Sequence, residues 1–250
     1  IAPVNTFETG VNKWKEYKTW PPADAQEKQL YLLPGGKLSF TAPTGSKDTY
    51  DEYVSDPDSP VPFLNHKSMD MDRDYMTADQ RFLADRKDVL SYTSDVLTDD
   101  VTIAGDIWAN LKVSTTGTDA DFVVKVLDVY PDTASNNKFT RKDVKMAGYE
   151  QMVRSEPIRG KYRNAFDKPE PFAPGKVTPV NWELQDVLHT FKKGHKIMIQ
   201  VQSTWFPLID RNPQTFVDIM KCDTSAFKKA THKVYTSKAN PSFLKVRVIK

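Results

Sequence analysis

Hydrophobic and polar residues alternate along much of the chain, and this period of two is typical of strands with one buried and one exposed face. The segment 107–113 shows it most clearly. One side consists of Ile107, Ala109, Leu111 and Val113, and the other of Trp108, Asn110 and Lys112. The segment 197–202 divides in the same way, with Met198, Gln200 and Gln202 on the polar side. Both segments are predicted to be half-buried strands.

Further segments rich in β-branched and aromatic residues extend this pattern. The segment 122–130 is interrupted only by Lys125 and Asp128, and is predicted to be a central strand. Other candidates are 4–9, 30–33, 37–41, 89–93, 149–153, 177–184, 231–236 and 243–249. This total exceeds the ~5–6 strands of an average sheet, so two stacked sheets are expected. The pattern predicts an all-β sandwich formed by residues 1–250 as a single domain.

The longest stretch without a strand pattern runs over 43–86 and is rich in Asp, Pro and Ser. Its apolar residues favour docking over disorder, because a connection of this length is usually functional or disordered. Asp70, Asp72 and Asp74 imitate the start of a calcium loop, but Tyr75 and Arg81 occupy the positions that such a loop gives to Gly and Glu. We therefore expect no metal here.

Charge and cysteine content exclude several classes of partner and site. The 35 basic and 33 acidic residues are interspersed, so neither a nucleic acid nor a membrane surface is an expected partner. Cys222 is the single cysteine, which excludes an intrachain disulfide and a thiolate zinc cluster. The start Ile-Ala-Pro-Val favours an excised piece of a longer protein. The compartment stays open, with a secreted or periplasmic parent protein as one option.

Candidate catalytic residues do not form a recognisable set. The chain lacks the Gly-x-Ser-x-Gly nucleophile motif of α/β-hydrolases. His66, His189, His195 and His232 have no associated nucleophile signature, and His195 is interpreted as a strand-edge residue. Asp119 and Asp121 are interpreted as turn residues beside a strand, and Cys222 as a packing residue. No catalytic residue and no cofactor is therefore expected.

Several separated motifs, in order along the whole chain, resemble one hydrolase family. The motifs are Gly10-Val11-Asn12-Lys13-Trp14 with Trp20-Pro21-Pro22, Gly35-Gly36-Lys37-Leu38-Ser39, Pro60-Val61-Pro62, Asp79-Gln80-Arg81-Phe82, Asp128-Val129-Tyr130-Pro131-Asp132, Arg159-Gly160-Lys161-Tyr162-Arg163 and Ser203-Thr204-Trp205-Phe206-Pro207. They resemble the C-terminal jelly roll, of the galactose-binding-like type, in the cocaine-esterase and X-Pro dipeptidyl-peptidase family. Within that family, α-amino acid ester hydrolases and glutaryl cephalosporin acylases are the most similar.

The resemblance implies an accessory role beside an α/β-hydrolase domain and a helical cap, with the Ser-Asp-His triad before Ile1. The parent would hydrolyse small acyl esters, amides or peptides, and a homo-oligomer is left open. The implied wall of its substrate pocket is Phe63, Leu64, Met69, Tyr75 and Met76. The predicted docking residues are Trp14, Tyr17, Trp20, Trp205, Phe206, Arg211 and Asn212.

The aromatic residues near the start also allow a different function. Trp14, Tyr17 and Trp20 could form a stacking platform for sugars, as in a carbohydrate-binding module. Because they lie in a Lys-rich stretch that ends in Pro21-Pro22, we do not expect them in a regular strand. The sequence leaves docking and sugar binding as alternatives.

Overall fold

The strands predicted from alternation are present in a computed structural model, which describes residues 2–68 and 72–249. The described residues form thirteen strands. They are β1 (Val4–Glu8), β2 (Lys13–Tyr17), β3 (Gln26–Leu33), β4 (Lys37–Ser39), β5 (Tyr50–Ser55), β6 (Leu90–Thr93), β7 (Val101–Thr115), β8 (Asp121–Val129), β9 (Glu150–Arg159), β10 (Thr178–Phe191), β11 (Lys196–Gln202), β12 (Ala230–Tyr235) and β13 (Phe243–Ile249). The helical elements are short 3₁₀ turns over Arg73–Met76, Gln80–Leu83, Gly160–Tyr162 and Thr224–Ala226. The all-β prediction is confirmed.

Most strands belong to one hydrogen-bonded sheet that folds over into a sandwich. The sheet has eleven strands: ten follow the order β5-β12-β7-β13-β3-β4-β6-β11-β8-β9, and β10 pairs with β7 along the other edge of that strand. A single parallel pair, Lys37 with Thr93, connects β4 to β6. The two predicted sheets are therefore two layers of one continuous sheet. Strands β1 and β2 form a separate two-stranded sheet.

The core lies between the two layers. The apolar side chains of β7 face it as the alternation predicted, with Ile107 and Leu111 fully buried. From the other layer, Phe122, Val124 and Val126 on β8 point into the same core. Burial of this apolar area at about 25 cal/mol per Å² is the main stabilising contribution to such a fold.

A second apolar layer covers the outer face of β8 and β11. Side chains that alternate with the core residues, such as Val123 and Leu127, pack against the long segment 56–89. For this reason Gln200 and Gln202 are buried rather than exposed, and the prediction of a half-buried strand is wrong for β11. The sandwich thus has three layers at this position.

Candidate functional site

The hairpin of β1 and β2 presents two exposed aromatic side chains, Phe7 and Trp14. Trp14 lies on β2, so the prediction that this stretch avoids a regular strand is wrong. Phe7 and Trp14 are direct cross-strand partners whose rings meet edge to face, with centroids 5.6 Å apart. Trp14 is 72% exposed and Phe7 is 41% exposed. Phe7 was not singled out from the sequence, because one aromatic residue in an alternating strand carries no special signal.

The two faces of the hairpin differ in character. Val4, Thr6 and Glu8 are buried or half-buried on the inner face, whereas Phe7 and Trp14 share the outer face. We call the side chains of Phe7 and Trp14 the aromatic outer face. It is the part of the hairpin available to a partner.

Tyr17 and Trp20 lie closer to the sandwich than Trp14 does. Their rings are 5.9 Å apart, and the Trp20 indole donates a hydrogen bond of 2.6 Å to Asp186. Partial burial raises the pKa of the Tyr17 phenol, and the charges of Glu8 and Asp24 add to this effect. Both residues are half-buried, so they help to hold the hairpin as well as to border its surface.

A buried polar network lies at the base of the hairpin. The Asp128 carboxylate accepts hydrogen bonds from His195 Nδ1, at 2.7 Å, and from His189 Nε2, at 3.2 Å. The other ring nitrogen of His189 lies 2.8 Å from the Thr9 hydroxyl, which also donates to the Leu188 carbonyl. The order Thr9, His189 and Asp128 resembles that of a hydrolase triad. In this structure the Thr9 hydroxyl contacts both His189 and the Leu188 carbonyl.

The buried network also shows where sequence reasoning fell short. His195 lies between the turn at Gly194 and the start of β11, as predicted, but it is also a buried partner of Asp128, with the Tyr130 ring 4.5 Å from its own. Burial, followed by the nearby charge of Asp128, raises the pKa of Tyr130 to about 12. Alternation places Asp128 on a face of β8 but gives no partner for it. The four side chains meet only in the folded protein.

The remaining histidines are structural or exposed in this fold. His232 is fully buried, pairs with Gln214 at 2.6 Å, and burial lowers its pKa to about 3. His66 lies at the surface, 3.1 Å from Asp72. Asp72 also caps the 3₁₀ turn Arg73–Met76, and Asp74 pairs with Arg141 at 3.0 Å. Asp70 lies outside the described residues.

The predicted wall of a substrate pocket is only partly accessible. Phe63 and Leu64 are 2% exposed and pack with Trp205 in the second apolar layer. Neither side chain is therefore exposed to a substrate in this domain. Tyr75 is half-buried, with its ring 5.8 Å from that of Phe63, and Met76 is 50% exposed. Met69 lies outside the described residues.

Tyr75 and Met76 lie in the segment that borders a polar groove of about 690 Å³. Its lining residues include Leu64 and Asp74 from the long segment, and Phe139, Arg141 and Tyr149 from the stretch before β9. Phe139 is 83% exposed. Salt bridges from Arg141 to Asp74 and Asp143 lie at the rim of the groove. This second surface combines exposed apolar and charged side chains.

The predicted docking residues near 205–212 separate into buried and exposed members. Trp205 is 4% exposed and Asn212 is 3% exposed, so neither side chain is available to another domain. Asn212 donates to Asp121 at 2.7 Å. Phe206 is 39% exposed and Arg211 is half-buried, with the guanidinium 5.9 Å from the Phe206 ring. The prediction is wrong for Trp205 and Asn212.

Asp119 lies in the connection before β8 and Asp121 at the start of that strand, as predicted, and both side chains are buried. Asp121 begins β8, and burial raises its pKa to about 7, although Arg159 acts in the opposite direction. Asp119 is fully buried, 3.6 Å from the Lys161 ammonium, and burial likewise raises its pKa. Both carboxylates have cations or amides as partners. Among the described residues, no group of three or more His, Cys, Asp or Glu side chains has a geometry suited to a metal ion.

Lys125, on the face of β8 that points away from the central core, is fully buried, which the alternation pattern did not predict. Its ammonium donates to Gln80 at 3.0 Å and lies 5.1 Å from the Trp205 ring. Gln200 stands opposite on β11, and its side-chain oxygen is buried without a hydrogen-bond partner. Burial lowers the pKa of Lys125 from 10.5 to about 7. The cause is desolvation of the ammonium.

Comparison with protein families assigns this architecture. Residues 2–245 match the family described as the X-Pro dipeptidyl-peptidase C-terminal non-catalytic domain. The chain belongs to this family. The resemblance inferred from the separated motifs is confirmed. Separately, the described part of the chain contains no helix long and apolar enough to cross a membrane.

Several much longer proteins contain a region similar to this chain. Cocaine esterase of Rhodococcus sp. (strain MB1 Bresler) is 30% identical over 257 residues, which cover all of this chain and 42% of the esterase. An aminopeptidase from a marine sediment archaeon, Thaumarchaeota archaeon, superposes with a TM-score of 0.92 at 40% identity, over 100% of this chain and 41% of its own. An α-amino acid ester hydrolase gives a TM-score of 0.91 at 40% identity, over 99% and 41%. The chain thus spans about two fifths of these relatives.

Proposed function

We propose that this chain is the accessory C-terminal domain of a serine hydrolase that acts on small acyl esters, amides or peptides. The observation that carries the proposal is the match over residues 2–245 to a C-terminal non-catalytic domain family. The relatives are more than twice as long as this chain, which supports a catalytic region upstream in the same polypeptide. The domain would pack on that region and complete one wall of its substrate pocket.

The aromatic outer face of the hairpin is the proposed docking surface. A two-stranded hairpin is marginally stable in water unless another element covers one of its faces. The sandwich covers the inner face of β1, where Glu8 is buried, while Phe7 and Trp14 remain exposed. Large aromatic side chains are enriched in protein interfaces, where they bury much area at low entropic cost. A covering domain would account for their exposure here.

The proposed non-catalytic role predicts that the chain alone does not turn over substrates of the family. Without a nucleophile and its base, no covalent route to hydrolysis is present. We expect p-nitrophenyl esters and Gly-Pro-p-nitroanilide to be hydrolysed no faster than in buffer, and a fluorophosphonate probe to leave the chain unlabelled. Stoichiometric labelling of one serine or threonine, Thr9 included, would refute the proposal.

Met76 offers a test of the pocket wall. In the full-length protein, Met76→Ala is expected to change the ratio of kcat/KM between short and long acyl esters by about 10-fold, since removal of apolar contacts is worth about 1–3 kcal/mol. Met76 is half-exposed, so the fold should not change. Met220→Ala, at an 87% exposed methionine between β11 and β12, is the matched control.

The outcome for Met76 is read from selectivity rather than from total activity. If Met76→Ala and Met220→Ala leave the same acyl preference as the parent, Met76 does not contact the acyl group. Phe63→Ala is unsuitable for this test, because removal of a buried ring is expected to destabilise the domain by about 3–5 kcal/mol. Phe63 is only 2% exposed.

A further inference from the structure

The connection between the hairpin and the sandwich is concentrated at Thr9. Its amide donates to the Leu188 carbonyl at 3.1 Å, and its carbonyl accepts from Thr190 at 3.0 Å. These two bonds form a parallel bridge between Thr9 and His189. Gly10 follows directly, and a side chain there would place a Cβ 2.1 Å from the Thr190 carbonyl. The chain therefore passes β10 at very close range at this point.

The Thr9 side chain extends this connection into the buried network. Its hydroxyl contacts His189, which contacts Asp128, which in turn contacts His195. His189 and Asp128 are each 1% exposed, so the bond between them is shielded from water, whereas Thr9 is exposed and its bond to His189 is partly buried. Hydrogen bonds to a buried carboxylate are stronger than neutral ones and are strict in direction. The network thus joins β1 to β8, β10 and β11.

A second polar connection lies one residue earlier. Glu8 is buried and accepts from the Thr190 hydroxyl at 2.5 Å, which also contacts the Thr102 hydroxyl at 2.7 Å. Lys15, on the partner strand, lies 3.4 Å from Glu8. The apolar contribution of the inner face is small by comparison, since Val4 is only half-buried. Polar contacts therefore determine how the hairpin is held.

We propose that Thr9, His189 and Asp128 form a latch that fixes the orientation of the hairpin on the sandwich. The latch holds the aromatic outer face, Phe7 and Trp14, in the position required for docking. This role rests on the proposed function, because it assumes that the outer face meets an upstream region. His189 and Asp128 are positioning residues in this account, and Thr9 is their contact on the hairpin.

Thr9→Val tests the latch with little disturbance of the fold. Valine keeps the branched shape and the backbone bonds of Thr9 but removes its hydroxyl. In the 250-residue chain, we expect amide hydrogen exchange over 4–17 to become about 5- to 10-fold faster. This factor corresponds to the loss of one to two net hydrogen bonds. Exchange in the core strand β8 should be unchanged. Thr6→Val, on the inner face of the same strand, is the matched control.

The latch and the docking role fail in different ways. Equal exchange over 4–17 in the Thr9→Val and Thr6→Val chains would overturn the latch. Faster exchange in Thr9→Val alone supports it, and His189→Gln should then give the same local effect. If the Thr9→Val chain has a looser hairpin yet binds the upstream region as tightly as the parent does, the latch is supported and the proposed docking surface is wrong.

Discussion

Lys125→Met is expected to remove a pH dependence from the stability of the domain. In the folded chain burial lowers the pKa of Lys125 to about 7, from 10.5 in the unfolded chain. Below pH 7 both states carry the charge, and the fold bears the full cost of burying it. As pH rises towards 10.5 the unfolded chain loses its proton as well, and this cost disappears. The parent domain should therefore gain stability from pH 7 to pH 10.

The expected difference is large for a single side chain. One pKa unit corresponds to 1.36 kcal/mol, and about three units separate the folded pKa from pH 10, so the gain from Lys125→Met should be about 4 kcal/mol greater at pH 6 than at pH 10. Gln80 loses its ammonium partner in the variant, which costs about 1–3 kcal/mol at every pH and leaves this difference intact. Urea unfolding at both pH values measures it.

The control for Lys125 is an exposed lysine. Lys176→Met removes a charge of the same kind from the loop before β10, where the side chain is in water. Its effect on the free energy of unfolding should be within about 0.5 kcal/mol at both pH values. If Lys125→Met and the parent show parallel stability from pH 6 to pH 10, the ammonium is not desolvated as the structure indicates.

Alternation predicted the architecture because, in a sandwich, the apolar and polar residues of each single strand indicate which of its faces is buried. β7 carries enough apolar residues at a period of two to identify a core face, and the nearly continuous apolar run of β8 identifies a central strand. Lys13–Tyr17 and Tyr50–Ser55 were not predicted as strands, because their charged and polar residues dilute that pattern. β5 also lies inside the stretch that was predicted to be irregular. Edge strands of this kind are held by one neighbour and need little apolar surface.

Tertiary contacts decided what the sequence could not. Gln200 and Lys125 lie on a face of β11 and β8 that would be exposed in a two-layer sandwich. The long segment covers that face, and so both side chains are buried. The latch is a stronger case, because Thr9 and His189 are 180 residues apart. Their meeting depends on the sheet order, which no local pattern contains.

Replacement of the aromatic outer face is expected to release the domain from the rest of its protein. The double variant Phe7→Ser/Trp14→Ser removes both exposed rings but leaves the inner face of the hairpin intact. Buried aromatic residues at interfaces are worth about 2 kcal/mol or more each, so affinity for the upstream region should fall at least about 100-fold. Phe166→Ser, at an 88% exposed ring in the loop between β9 and β10, is the control.

Cleavage of the full-length protein just before Ile1 allows the affinity between this domain and the upstream region to be measured most directly. With a protease site inserted there, the parent and the Phe166→Ser protein should stay associated after cleavage, as followed by analytical ultracentrifugation over a dilution series. A fluorophosphonate label should remain on the upstream fragment. The double variant should separate at concentrations where the parent is still a complex. Separation of the parent protein, or equal affinity in the parent and the double variant, would contradict the account.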